Sequence, residues 1–254
     1  MNKHLLPREH GAYAELGFPL LTGLVLGSPS PAAWLFVAAA LLFFFANEPL
    51  VILAGARGRR LQSELAAPAR ARLLLLGTLG VLCGLAALWL APEAARRLAL
   101  VPALLAAGLA PVVLSKNLKT LPGELIAAGA FSSMVLPVAA AGGVAGVALW
   151  GPAFLWFVTT IVATLSVHAI KSRVTGASPW VVPGATWSAR FALLVALAVV
   201  AWLPPWRAVA LAACLPLAAV VLVNRLALSP KKLKQVGWAL VVANSLALVT
   251  LATL

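Results

Sequence analysis

Nine apolar runs follow one another along the chain, at roughly 12–27, 32–55, 73–91, 98–114, 123–141, 152–170, 185–203, 207–223 and 236–254. A helix that crosses a bilayer needs about 20 mostly apolar residues at about 1.5 Å of rise each. Each run is therefore a candidate span, and the pattern predicts an all-α polytopic bundle of about nine spans in one integral membrane domain covering residues 1–254. Proline and glycine mark most of the breaks: Ser28-Pro29-Ser30-Pro31, Gly142-Gly143, Pro204-Pro205 and Ser229-Pro230. The first run is the weakest, because after Glu15 its apolar core is only about a dozen residues, which fits a tilted or half-buried helix. Pro102 and Pro111 predict a kink in the fourth run. Residues 142–151 are apolar enough for a re-entrant piece.

Composition agrees with the pattern. Of 254 residues, 63% are hydrophobic and 10% charged, against about 45–50% and about 25% in soluble domains. The formal charge of +13 changes the picture once the Lys and Arg are placed. With the N-terminus in the cytoplasm, fifteen of the nineteen fall at the N-terminus or in the 56–72, 115–122, 171–184 and 224–235 connections. Arg96, Arg97 and Arg207 fall on the other side, and Arg190 lies just inside the seventh run. The positive-inside rule then predicts a cytoplasmic N-terminus, an external C-terminus and an odd number of crossings in a cytoplasmic (inner) membrane. Trp34, Trp89, Trp150, Trp156, Trp202 and Trp206 cluster at the predicted outer ends, as an interfacial belt does. Topology accounts for the basic charge, and nucleic acid is excluded as a partner because no basic stripe with interleaved aromatics is present. Cys83 and Cys214 lie inside apolar runs, so no disulfide is expected. The small-x-small triplet Ala12-Tyr13-Ala14 precedes an apolar run instead of following one, which argues against a cleaved signal peptide.

Ionisable groups inside spans are costly and mark sites by default. The six acidic residues are all Glu. Glu15, with His10, lies in the opening Pro7–Pro19 stretch and shares a helical face with Gly11 and Thr22. Glu48, with Asn47, lies near the cytoplasmic end of the second run, where a carboxylate needs a partner or water. Glu124 opens the fifth run, either as a first-turn carboxylate favoured at a helix N-terminus or as a site group facing His168. In the sixth run, Thr160, Thr164, His168, Lys171 and Ser172 share one face, which predicts a wet cavity opening to the cytoplasm. The bland alternative has the hydroxyls bonding their own backbone and His168 closing a helix end. Glu64 is expected to pair with a neighbouring Arg. The catalytic candidates are thus His10, Glu15, Glu48, Glu124 and His168. Asn47, Arg57, Arg59, Lys116, Asn117, Lys119, Lys171 and Arg173 are candidates for holding an anionic substrate or head group. No metal, haem or zinc spacing and no glycine-rich phosphate loop is present.

Arg8-Glu9-His10-Gly11-Ala12-Tyr13, Phe45-Ala46-Asn47-Glu48-Pro49-Leu50 and Arg57-Gly58-Arg59-Arg60 resemble the YwiC-like bacterial membrane proteins. That family supplies no activity to carry over. More distantly, the chain is similar to UbiA-type prenyltransferases, whose two acidic motifs correspond to Asn47-Glu48 and to His168–Arg173, with Gly123-Glu124-Leu125 opening the fifth helix. The likeness implies a nine-helix, N-in scaffold with a cytoplasmic cavity for an isoprenoid or quinone. Those enzymes bind Mg²⁺-diphosphate through several Asp, and this chain has none, so only Glu48 and Glu124 would offer Mg²⁺ its carboxylates. The expected function is that of a binder or divergent lipid transferase with the bilayer as partner. A proton-coupled permease using Glu15, Glu48, Glu124 and His168, or a membrane subunit or assembly factor of a respiratory complex, are the alternatives.

Overall fold

The computed structural model describes residues 5–7, 10–117, 119–175, 180–226 and 228–253, with only the backbone at His10, Val174 and Thr175. Among these residues there are ten α-helices: α1 (His10–Leu26), α2 (Pro31–Leu53), α3 (Arg59–Leu90), α4 (Glu93–Leu114), α5 (Leu121–Ser133), α6 (Val135–Ala141), α7 (Val147–Thr175), α8 (Val181–Trp202), α9 (Arg207–Arg225) and α10 (Leu233–Thr253). Short 3₁₀ turns at Pro204–Trp206 and Pro230–Lys232 precede α9 and α10. Among the described residues, eight helical segments are long and apolar enough to cross a bilayer, with α5 and α6 counting as one. The protein is a multi-pass helical membrane bundle. The ninth expected span, α1, has 17 residues and reaches about 25 Å at about 1.5 Å per residue, just short of a hydrocarbon core of about 30 Å.

The proline breaks lie where the sequence puts them, for local reasons. Ser30 caps α2 by accepting a hydrogen bond from the Ala33 N–H, with Pro31 in the first helical position. Two helices extend beyond their apolar runs. α3 begins at Arg59, well before Leu73, because Leu61, Leu65 and Ala69 pack on Ile52 and Leu5. α7 begins at Val147, so the segment expected to be re-entrant divides into a turn at Gly142–Gly146 and a helical start. α4 runs unbroken through Pro102 and Pro111.

The core is built on small residues. α6 is buried along its whole length and packs on α1, α2, α4, α5 and α7. α1 packs on α2, α5, α6, α7 and α10. The two lie together because glycine removes the side chains between them. A Cβ on Gly23 would meet Val138 Cβ at 2.8 Å, and one on Gly142 would meet Gly27 Cα at 2.9 Å. The Ser28 N–H donates to Gly142 O at 3.0 Å and the Ser30 hydroxyl to Ala141 O at 2.9 Å, tying the α1–α2 connection to the end of α6. Lipid is as apolar as a leucine, so close backbone approach and interhelical hydrogen bonds hold such a bundle together.

Trp156 departs from the expected belt. It is 2% exposed, stacks on Phe18 at 5.4 Å and donates its indole N–H to the Thr22 hydroxyl at 3.0 Å. The Thr22 hydroxyl in turn donates a hydrogen bond to Phe18 O. Trp34, Trp89, Trp150 and Trp202 are exposed instead. Cys83 and Cys214 are both free thiols.

The packing of α1 on α6 predicts a contrast within one helix. Gly23→Ala should lower stability by about 1–3 kcal/mol, the usual cost of overpacking. Gly17→Ala, where an added methyl meets nothing within 4 Å, should be neutral or stabilising by up to about 1 kcal/mol. Thermal unfolding of the two variants in mild detergent reads the difference.

Candidate functional site

Four aromatic rings join α1, α2 and α5. Tyr13 meets Phe44 edge-on at 5.0 Å, and Phe44 meets Phe45 at 5.5 Å and Phe131 at 5.9 Å. The Tyr13 hydroxyl donates to Pro7 O at 3.1 Å, tying Pro7 to the first turns of α1. Three of the acidic candidates lie on the same helices. Glu48 is one turn beyond Phe44 on α2, Glu124 about two turns before Phe131 on α5, and Glu15 two residues beyond Tyr13 on α1.

Glu48 is held by Arg57. Gly55 and Gly58 have φ of +70° and +99°, a region open to glycine at little cost. The chain after α2 turns back there, and Arg57 Nε and Nη2 each donate to one Glu48 carboxylate oxygen at 2.8 Å. The Glu48 side chain is 3% exposed and that of Arg57 18%. Two parallel bonds between planar groups make the strongest common ion-pair geometry. Glu48 is therefore a buried, charge-paired carboxylate, and Arg57 turns two of its donors to it.

Glu124 makes the other pair, placed by two capping devices. α4 ends with Lys116 in the left-handed region, φ +62°, where the Lys116 N–H donates to Val113 O and the Asn117 N–H to Val112 O, a Schellman closure. Thr120 then caps α5: its hydroxyl donates to Asn117 O at 2.6 Å and accepts from the Gly123 N–H. Glu124 follows in the first turn of α5, and its Oε2 lies 2.7 Å from His168 Nε2 on α7. Glu124 is 32% exposed and His168 27%. This is an open acid–base pair, unlike the closed Glu48–Arg57 pair.

The other candidates separate. Ser172 is buried and donates to Ala169 O, so it satisfies its own helix. Thr160 and Thr164 are half-buried on α7, and Asn47 is half-buried beside Glu48. Lys116, Asn117, Lys119, Lys171 and Arg173 are exposed near the ends of α4, α5 and α7. Arg173 also makes a long contact, 3.5 Å, to Asn224 O. Arg59 belongs to a groove on α3 with Arg70. Glu64 pairs with Arg60 at the surface. The His10 side chain and the Arg8-Glu9 dipeptide lie outside the described residues. Of the two cavities described, one is this α3 groove and the other an apolar cleft among α7, α8 and α9. Neither is lined by Glu124 or His168.

Sequence reasoning also missed a polar node on α9. Asn224 on α9 is buried and donates to the Ser166 hydroxyl at 3.0 Å and to Ala185 O at 3.2 Å, joining α7, α8 and α9. Its signal was a lone amide just before Arg225 at the end of an apolar helix. Two of the cations outside the basic connections also have a use. Arg96 donates to Ala91 O and Trp89 O, and Arg207 to Val200 O, so both close helix C-termini.

Among the described residues, no group of three or more His, Cys, Asp or Glu lies together. Both Glu48 oxygens are taken by Arg57, and Glu124 turns one of its own to His168. That donor set does not fit a Mg²⁺-diphosphate site, which needs several free carboxylate oxygens.

A family model for YwiC-like proteins matches residues 6–140. The chain belongs to the YwiC-like family. The matched segment takes in α1 to α5 and nearly all of α6, and so includes Glu15, the Glu48–Arg57 pair and Glu124. His168 and Asn224, in the second half of this YwiC-like chain, lie beyond it. No curated protein and no solved structure matches the chain.

The buried pair predicts a large structural effect. Arg57→Ala leaves the Glu48 carboxylate buried and unpaired, which should cost about 3–5 kcal/mol. Arg60→Ala, which breaks an exposed pair, should cost about 1 kcal/mol or less. The detergent melting temperatures and yields of the two variants check this.

Proposed function

We propose that this YwiC-like membrane protein holds a lipid-soluble ligand of isoprenoid or quinone type, with the Glu124–His168 pair as its proton-handling contact. The observation that carries the reading is the 2.7 Å pair itself, about a third exposed in a bundle with few acids. A purely structural ion pair in a membrane bundle gains from closure, as Glu48 and Arg57 do. A carboxylate and an imidazole left open to solvent or ligand at the end of two helices are suited to exchange a proton with a bound carbonyl or hydroxyl. Lys116, Asn117, Lys119 and Lys171 are exposed around the same helix ends, where they would favour an anionic head group.

The distant likeness to UbiA-type prenyltransferases supports this position for a ligand. The donor set argues against their Mg²⁺-diphosphate chemistry. The reading is therefore one of binding, and a divergent lipid transfer would need the same pair. The distribution of Lys and Arg supports a cytoplasmic face for this end, an external C-terminus and residence in the bacterial cytoplasmic membrane.

Native mass spectrometry of the purified protein in mild detergent tests it. The expected result is a co-purifying quinone or prenyl lipid, or a mass shift on adding one. Occupancy should fall about tenfold in Glu124→Gln and His168→Gln, the loss expected when a hydrogen bond to a charged group is removed. A protein that carries no such lipid and gains no mass with either a quinone or a prenyl diphosphate would falsify the reading.

A further inference from the structure

A depression of about 440 Å³ lies between the end of α2 and the first turns of α3, lined by Leu53, Arg59, Gln62, Ser63, Ala66 and Arg70. Arg59, Ser63, Ala66 and Arg70 stand on one helical face, at i, i+4, i+7 and i+11. Neither Arg59 nor Arg70 has an ion-pair partner among the described residues. The nearest acids in sequence are committed, Glu48 to Arg57 and Glu64 to Arg60. Two guanidinium groups thus share one concave surface with no counter-charge among the described residues.

The same face continues down α3 into bare hydrocarbon. Leu74 follows Arg70 by one turn, then come Val81 and Leu85, exposed at 69%, 48% and 59%. α3 packs chiefly on α2, so this strip is open to the bilayer along its length. The groove lies where the helix leaves the charged segment Arg59–Arg72 and enters its apolar run.

We propose that the groove seats the phosphate of an anionic phospholipid, with an acyl chain along Leu74, Val81 and Leu85. A guanidinium presents a planar fork of donors that suits phosphate oxygens, and Leu53 and Ala66 give the glycerol region an apolar wall. A soluble phosphate would use the two arginines and leave the strip idle. The strip is what commits the site to a lipid of the leaflet. The groove draws only on α2 and α3, so it is separate from the Glu124–His168 pair.

The test is native mass spectrometry of the whole protein in mild detergent with equal phosphatidylglycerol and phosphatidylcholine, together with melting curves. Phosphatidylglycerol should be retained in preference to phosphatidylcholine. Its occupancy should fall about fivefold for each arginine removed in Arg59→Gln and Arg70→Gln, and stay unchanged in Arg60→Gln. The lipid should also raise the melting temperature of the native protein. The double variant should keep its lipid-free melting temperature, which shows that it is folded, and lose that rise. Equal retention of the two lipids, unreduced retention in the double variant, or the same rise with inorganic phosphate would overturn the proposal. Phosphatidylglycerol and a quinone or prenyl lipid differ in mass, so this site and the proposed ligand at Glu124–His168 succeed or fail separately in one spectrum.

Discussion

The closeness of α1 to α6 is the constraint on which the bundle depends. Gly23 and Gly27 on one side, and Val138 and Gly142 on the other, bring the two backbones nearly into contact. Ser28 and Ser30 then bond the last carbonyls of α6. Everything nearest the centre refers to this contact. α2 starts from it through the Ser30 cap, α5 leads into it through Met134, and α7 is joined to α1 by the Trp156–Thr22 bond. In water, burial of apolar area would help select such an arrangement. In lipid that drive is absent between helices, so small side chains and a few buried hydrogen bonds carry the specificity.

The charges follow a second logic, in which closure separates structure from site. Glu48 is buried and takes both of its bonds from Arg57, and the pair fastens the turn between α2 and α3. Glu124 meets a histidine and keeps about a third of its surface open. Both groups are glutamates near helix ends at apolar boundaries, and composition alone ranks them equally. What divides them is the partner: an arginine stays charged at any physiological pH, whereas a histidine can give or take a proton. Arg59 and Arg70, which have no ion-pair partner among the described residues, are exposed on α3.

Much of the architecture was legible because its signals are local. Pro31, Pro204 and Pro230 start helices or 3₁₀ turns where a missing N–H costs nothing. Helix limits that depend on packing were not legible. Arg59–Arg72 is too polar to read as a span, yet Leu61, Leu65 and Ala69 hold it helical against Ile52 and Leu5. Trp156 read as an interfacial residue because tryptophans often are, and only the partner on α1 shows that it is core. The Glu124–His168 meeting was among the readings of the sequence, since both groups lie at helix ends on one predicted side. The Glu48–Arg57 pair was missed because it depends on two positive-φ glycines that fold the loop back.

The sequence by itself determined a helical, multi-pass membrane protein of the YwiC-like family, because hydropathy, proline position and short motifs are properties of neighbouring residues. Only the tertiary structure decided which ionisable groups are closed and which are open. That choice rests on contacts between residues 9 and 44 positions apart, and no periodicity along the chain encodes them.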